Sequence, residues 1–146
     1  MRDLETIAAA ITIAETGHLV FATLHTNSAA QSIDRMIDVF PPHQQPQIRS
    51  QLSNILMAIC SQRLVPSIGG GRVVAAEVLI GTPAVRNIIR EGKSHQLDDA
   101  IQTGAEFGMQ NMDKTLVNLI HAGTISYDEA RNFAVDIDEL DRLMRG

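Results

Sequence analysis

Between Gly17-His18 and His25-Thr26 the chain runs Leu19-Val-Phe-Ala-Thr-Leu24, apolar but for one hydroxyl. A short continuous run of this kind reads as a β-strand buried on both faces. Such a strand needs parallel neighbours, and parallel sheets arise from repeated βαβ units. Only one such run occurs in the first 60 residues, and a helical pattern precedes it with no strand ahead. The sequence therefore reads as entering a βαβ crossover midway, as the carboxy-terminal piece of a larger α/β domain.

The remaining elements follow from spacing and punctuation. Asp3 is placed to cap a helix with Leu4, Ile7, Ala8, Ile11 and Ala14 at helical intervals and Gly17 just past its end. Asn27 or Ser28 caps a second helix through Ile33, Met36, Ile37 and Phe40, stopped by Pro41-Pro42. A third, from about Pro46, sets Ile48, Leu52, Ile55, Leu56 and Ile59 on one stripe, with Cys60 beside Ile59 as a small apolar residue. Arg63-Leu-Val65 and Arg72 to Ile80 read as two strands of a hairpin turning at Gly69-Gly-Gly71. Beyond Thr82 the pattern is helical: 83–91, 95–103, 113–122, 126–133 and 137–144.

Composition removes several classes of function. Twelve Lys and Arg against 17 Asp and Glu give a net charge of −5, and aromatics make up 3%. That balance lacks the basic footprint and stacking platforms of a nucleic-acid binder. One cysteine, Cys60, excludes a disulfide framework and a cysteine zinc site. The longest strictly apolar run, Ile55 to Cys60, is far short of the roughly 20 residues that cross a bilayer. Met1-Arg-Asp-Leu-Glu5 places two acids where a signal peptide has a basic region. A cytoplasmic protein without membrane insertion is expected.

A phosphate-binding loop G-x-x-x-x-G-K-[ST] needs backbone N–H groups around the phosphates and a lysine to reach them. Gly92-Lys93-Ser94 supplies only its last three positions: Asn87 stands where the first glycine belongs, and a helix precedes it instead of a strand. His18 and His25 flank the apolar run at an odd separation, so on a strand they point to opposite faces and do not chelate. By spacing alone His25 is a capping or core histidine. Its setting in Thr23-Leu-His-Thr26, at the carboxyl end of a buried strand, is where open α/β sheets place ligands. His18, at the other end, reads as a packing residue. His43, His95 and His121 take no role. In Ala84-Val-Arg-Asn-Ile-Ile-Arg-Glu91, Arg86 and Arg90 stand one turn apart, opposite Ala84, Val85, Ile88 and Ile89. Spacing reads them as a solvated face moderated by Glu91, although like charges at i,i+4 favour an external acid or carbonyl.

Gly17 to Thr26 resembles the His box of the type II/IV secretion ATPase superfamily, and Ala84 to Glu91 resembles the A-I-R-N-L-I-R-E motif of its pilus-retraction branch. The likeness extends through Met1 to Thr6, Ser28 to Arg35, Gly69 to Arg72, Ile80 to Thr82, Ala100 to Gly104 and Gly108 to Gln110, and so over most of the chain. Relatives that extend pili or export proteins commonly carry a four-cysteine metal site, which a chain with one cysteine cannot form.

This resemblance implies an α/β fold: the second half of a RecA-like P-loop NTPase domain over 1–82, then a carboxy-terminal helical region over 83–146. It implies a hexameric motor that hydrolyses ATP with Mg²⁺ and powers pilus retraction in twitching motility. The partners implied are other copies of the chain and the inner-membrane pilus platform protein, at the cytoplasmic base of the pilus machine, with no nucleic acid. By resemblance His25 and Arg2 are catalytic, Thr23, His25 and Thr26 face the nucleotide, no residue holds a metal, and Arg86, Asn87, Arg90 and Glu91 couple hydrolysis to output. In such proteins Met1-Arg-Asp3 follows the Walker B glutamate, so the P-loop, the acidic Asp box and that glutamate lie outside this sequence. The segment alone is then expected to be inactive. The alternative from a different class is a non-catalytic assembly module.

Overall fold

In the computed structural model of the chain, residues 1 and 3–145 are described. The first helix, α1 (Leu4–Glu15), opens where the Asp3 carboxylate accepts the Thr6 N–H at 2.8 Å, and it buries Ile7 and Ile11. Ser28 caps α2 (Ala29–Asp38) by accepting the Gln31 N–H at 3.2 Å. Pro46 lies in the first turn of α3 (Gln45–Ile55), where its missing N–H costs no helical bond.

Two expectations fail here. Leu19 to Leu24 is not a strand: it carries no regular secondary structure, with Leu19 67% and Phe21 89% exposed. An extended segment becomes a strand only with a ladder partner, and among the described residues the two strands of the hairpin pair with each other, with one further bridge from Val78 to Gln110 and none to residues 19–24. The third helix also stops sooner than its apolar stripe suggested. Leu56 turns extended, and β1 (Ala58–Pro66) takes Ile59 and Cys60 out of the helix, leaving Cys60 exposed. The cause is pairing: β1 runs antiparallel to β2 (Arg72–Ile80) over its whole length, from Ala58 opposite Ile80 to Pro66 opposite Arg72. Nine ladder positions outweigh two more residues of helix. The hairpin turns through Gly70 and Gly71 at φ 88° and 76°, a conformation that suits glycine.

The helices beyond Thr82 keep close to the expected spans. They are α4 (Pro83–Glu91), α5 (Leu97–Thr103) after one 3₁₀ turn, α6 (Met112–His121), α7 (Tyr127–Phe133) and α8 (Ile137–Arg145). Thr82, Asn111 and Ser126 each accept a backbone N–H at the head of α4, α6 and α7. None of the described helices is long and apolar enough to cross a membrane.

The buried side chains form two clusters. One joins α1, α2, α3, α4 and α5 around Ile7, Ile33, Ile37, Leu79, Ile89 and Ile101. The other joins α6, α7 and α8 to the far end of the hairpin around Val65, Met112, Leu116, Ile125 and Leu140. The hairpin therefore belongs to both, with Leu79 in the first and Val65 and Ala75 in the second.

Candidate functional site

The turn at 25–28 is tied to the head of α2. Thr26 Oγ1 lies 2.6 Å from Ser32 Oγ, Ser32 Oγ donates to the Ser28 carbonyl at 2.9 Å, and the Asn27 N–H donates to Gln31 Oε1 at 3.1 Å. These bonds tie the turn to the first turn of α2, as short polar side chains beside a helix start do. His25 and Thr26 line one cleft of about 530 Å³, together with Ile7, Gln31, Asp34, Arg35, Asp38 and Val39. A ring, a hydroxyl and the Arg35 guanidinium thus face the same space as two carboxylates. Asp34 is engaged by the Ser94 hydroxyl at 2.5 Å, which also fixes Gly92-Lys93-Ser94 as the exit from α4. The Lys93 ammonium is 2.7 Å from Glu91.

Thr23 is exposed and is not in that lining. Arg2 lies outside the described residues. His18 is exposed, not packed, with Nδ1 2.9 Å from the Thr16 hydroxyl at the end of α1. Among the described residues, no group of three or more His, Cys, Asp or Glu is placed to hold a metal ion.

On α4 the arginines do not form a face moderated by Glu91. Glu91 is taken by Asn87 Nδ2 at 3.1 Å and by Lys93, and these two donors hold its carboxyl below the usual range. Arg86 Nε donates to the Gly81 carbonyl and Nη1 to the Ser53 carbonyl, both at 2.8 Å, and Nη1 also reaches the Asn54 carbonyl. Ser53 and Asn54 end α3, whose last carbonyls lack helical partners, so a guanidinium there answers both open acceptors and the negative end of the helix dipole. Arg90 adds one longer bond, Nη2 to Asn54 Oδ1 at 3.3 Å. Gly81 sits where a Cβ would lie 2.2 Å from the Leu56 carbonyl oxygen, so only glycine lets the chain cross there. Arg86 and Arg90 meet at one end of α3, away from the His25 cleft lining.

Two buried carboxylates escaped the sequence reading. Glu77 on β2 accepts the Ala29 N–H at 2.8 Å, and Asp113 on α6 accepts the Val135 and Asp136 N–H groups at 2.8 and 3.1 Å. Burial is the largest influence on both and raises both carboxyls above the ordinary carboxylate range, against the backbone bonds that lower them. Both line a second cleft with Asp98, Asp136 and Glu139. The signal for Glu77 lay in the period of two: Ala75, Glu77 and Leu79 share the buried face of β2.

The His25 cleft brings together an imidazole, a hydroxyl and a guanidinium, and no complete G-x-x-x-x-G-K-[ST] pattern occurs in the sequence.

The comparisons with known proteins agree with one another. The family described as "Type II/IV secretion system protein" matches residues 1–70. The "Type IV pilus retractation ATPase PilT" of Pseudomonas aeruginosa is 57% identical over 134 residues, which is 92% of this chain and 39% of that protein. A "Twitching motility protein" of Neisseria gonorrhoeae is 49% identical over 96% of this chain and 38% of its own length. Among solved structures, the crystal structure of the pilus retraction motor PilT with bound ADP superimposes with a TM-score of 0.88 at 50% identity, covering 97% of this chain and 40% of that one. The Legionella pneumophila ATPase DotB superimposes with a TM-score of 0.78 at 29% identity, covering 90% and 36%. The chain thus spans about two fifths of the length of the curated relatives it matches.

Proposed function

This chain belongs to the type II/IV secretion system protein family, and from that premise we propose that it forms the carboxy-terminal segment of a hexameric, ATP-hydrolysing motor for type IV pilus retraction. The observation that carries this reading is its likeness to a retraction motor over nearly the whole chain, the Ala84 to Glu91 helix included. The motor would work in the cytoplasm at the inner-membrane base of the pilus and act on the platform protein there.

Phosphoryl transfer relies on positioning and on stabilising charge at the γ-phosphate. In this reading His25 and Thr26 hold the outer phosphate from the edge of their cleft, Thr23 contacts the nucleotide from outside that lining, and Arg2 acts at the site or across a subunit boundary. The loop that cradles the remaining phosphates and the Mg²⁺ site come from sequence outside these residues. On α4, Arg86 and Arg90 join that helix to the end of α3, and together with Asn87 and Glu91 they couple hydrolysis to the output. A second reading, a non-catalytic assembly module, draws support from the exposed Leu19 and Phe21, which suit contact with other protein surface.

The test joins this chain to the coding sequence upstream of it and measures Mg²⁺-dependent ATP hydrolysis. Turnover is expected, with His25→Ala lowering it roughly 100-fold while nucleotide affinity changes little. His18→Ala is expected to leave turnover near normal. An upstream sequence without a phosphate loop would favour the assembly module.

A further inference from the structure

Glu77 is 5% exposed, and among the described residues no cation lies within ion-pair distance of it. Its bond to Ala29 crosses 48 residues of sequence. Ala29 is the first residue of α2 and is fully buried, so water cannot take the place of a protein acceptor. Ser28 already spends its hydroxyl oxygen on the Gln31 N–H, two residues further into the helix. Glu77 therefore supplies the missing acceptor, and a negative group at a helix start is favoured by the helix dipole.

Glu77 is held by α2 and not by its own strand pair. Ser61 stands directly opposite it on β1, and its hydroxyl is buried without a hydrogen-bond partner among the described residues. The charged groups that face Glu77 are Asp98 from α5 and Asp113 from α6, which oppose its ionisation, and Arg63 from β1, which favours it. The first turn of α2 in turn holds the 25–28 turn through the Thr26, Ser32, Ser28 and Gln31 bonds already described.

We propose that Glu77 is a positioning residue that sets the head of α2, and through it the His25–Thr26 turn, at the nucleotide-facing cleft. The proposal rests on the reading of that cleft as the phosphate edge of an ATPase. A side-chain oxygen at position 77 is what it requires; the charge is secondary, because a neutral oxygen can accept the same N–H.

The experiment uses the full-length protein, assembled, with Glu77→Met to remove the acceptor at similar size and Glu77→Gln to keep an oxygen. Amide hydrogen exchange over residues 25–32 is read without nucleotide, beside kcat and KM for ATP. Glu77→Met should speed exchange in that segment, leave α6 to α8 unchanged, and lower kcat about tenfold with KM within about threefold. Glu77→Gln should restore both readouts to within about threefold of the parent. Unchanged exchange and kcat in Glu77→Met would overturn the proposal. So would a Glu77→Gln protein as impaired as Glu77→Met, or a Glu77→Met protein that fails to assemble while Glu77→Gln assembles, which would make Glu77 a residue of general stability. A parent protein without ATP turnover, in which Glu77→Met still loosens 25–32, would break the ATPase reading and leave the positioning of α2 standing.

Discussion

The apolar segment Leu19 to Leu24 and the junction of α3 with α4 are both short motif-bearing regions, and the structure treats them in opposite ways. The first lies uncovered, with Phe21 89% exposed and no ladder beside it. The second is closed on itself: Arg86 reaches carbonyls of Gly81, Ser53 and Asn54, and Gly81 lets two backbones pass at contact distance. The difference teaches that a motif's local order depends on where its partners are. The arginine motif finds its acceptors at the end of a neighbouring helix. The apolar run finds no ladder among the described residues; it is held only near its end, where Leu24 packs against the first cluster and the Thr23 carbonyl accepts from the Met1 amino group.

If the junction is the rigid member of this pair, its glycine should be the most sensitive position. Gly81→Val forces a branched side chain against the Leu56 carbonyl and should cost about 3 kcal/mol, read from the urea midpoint of the chain. A midpoint within error of the parent would break the comparison at its strongest point. Next in size is Arg86→Ala, which strands carbonyls at the end of α3 and should cost about 2 kcal/mol. Arg86→Lys should recover only part, since an ammonium cannot span the same acceptors with a planar fork. Full recovery by lysine would reduce the junction to simple charge placement.

A smaller effect comes from acid. Burial raises Asp113 above the ordinary carboxylate range. A raised folded-state pKa means that proton binding favours the fold: the contribution is complete below the ordinary value of 3.8 and is lost as pH rises through the raised one. Asp113→Asn should therefore gain stability relative to the parent as pH rises from about 4 towards neutrality. A deficit of Asp113→Asn against the parent that grows over that interval would contradict the burial argument. The smallest changes belong to the exposed residues. Arg90→Ala and Phe21→Ser should each shift the stability of the chain by less than about 0.5 kcal/mol. A loss at Phe21 as large as that at Arg86 would mean that the apolar segment is packed after all, and the contrast between the two regions would fall.

Legibility followed the range of the forces involved. Asp3, Ser28, Thr82 and Ser126 cap helices with N–H groups three residues ahead, so the pattern that announces them and the bond that makes them are the same few residues. The glycines at 69–71 turned the hairpin as expected for the same reason. Ile59 and Cys60 were misplaced because their side chains suit either a helix stripe or a strand, and only pairing with Leu79 and Val78 decides. The Arg86 clamp was half visible: the repulsion of two arginines pointed to an outside acceptor, but no spacing says that α3 ends beneath them. Glu77 was readable as a charge on an inward strand face, yet its partner, Ala29, lies 48 residues away.

By itself, then, the sequence determined the caps, the turns, the helix phases beyond Thr82 and the family motifs, all of which are written within a few residues of one another. Tertiary structure alone decided where α3 gives way to β1, that Glu77 holds the head of α2, that Arg86 closes the end of α3, and that Leu19 to Leu24 stays unpaired. Each of these is a contest for hydrogen-bond partners between segments far apart in the chain. Its outcome depends on which acceptor or ladder arrives within about 3 Å, a distance the order of residues does not encode.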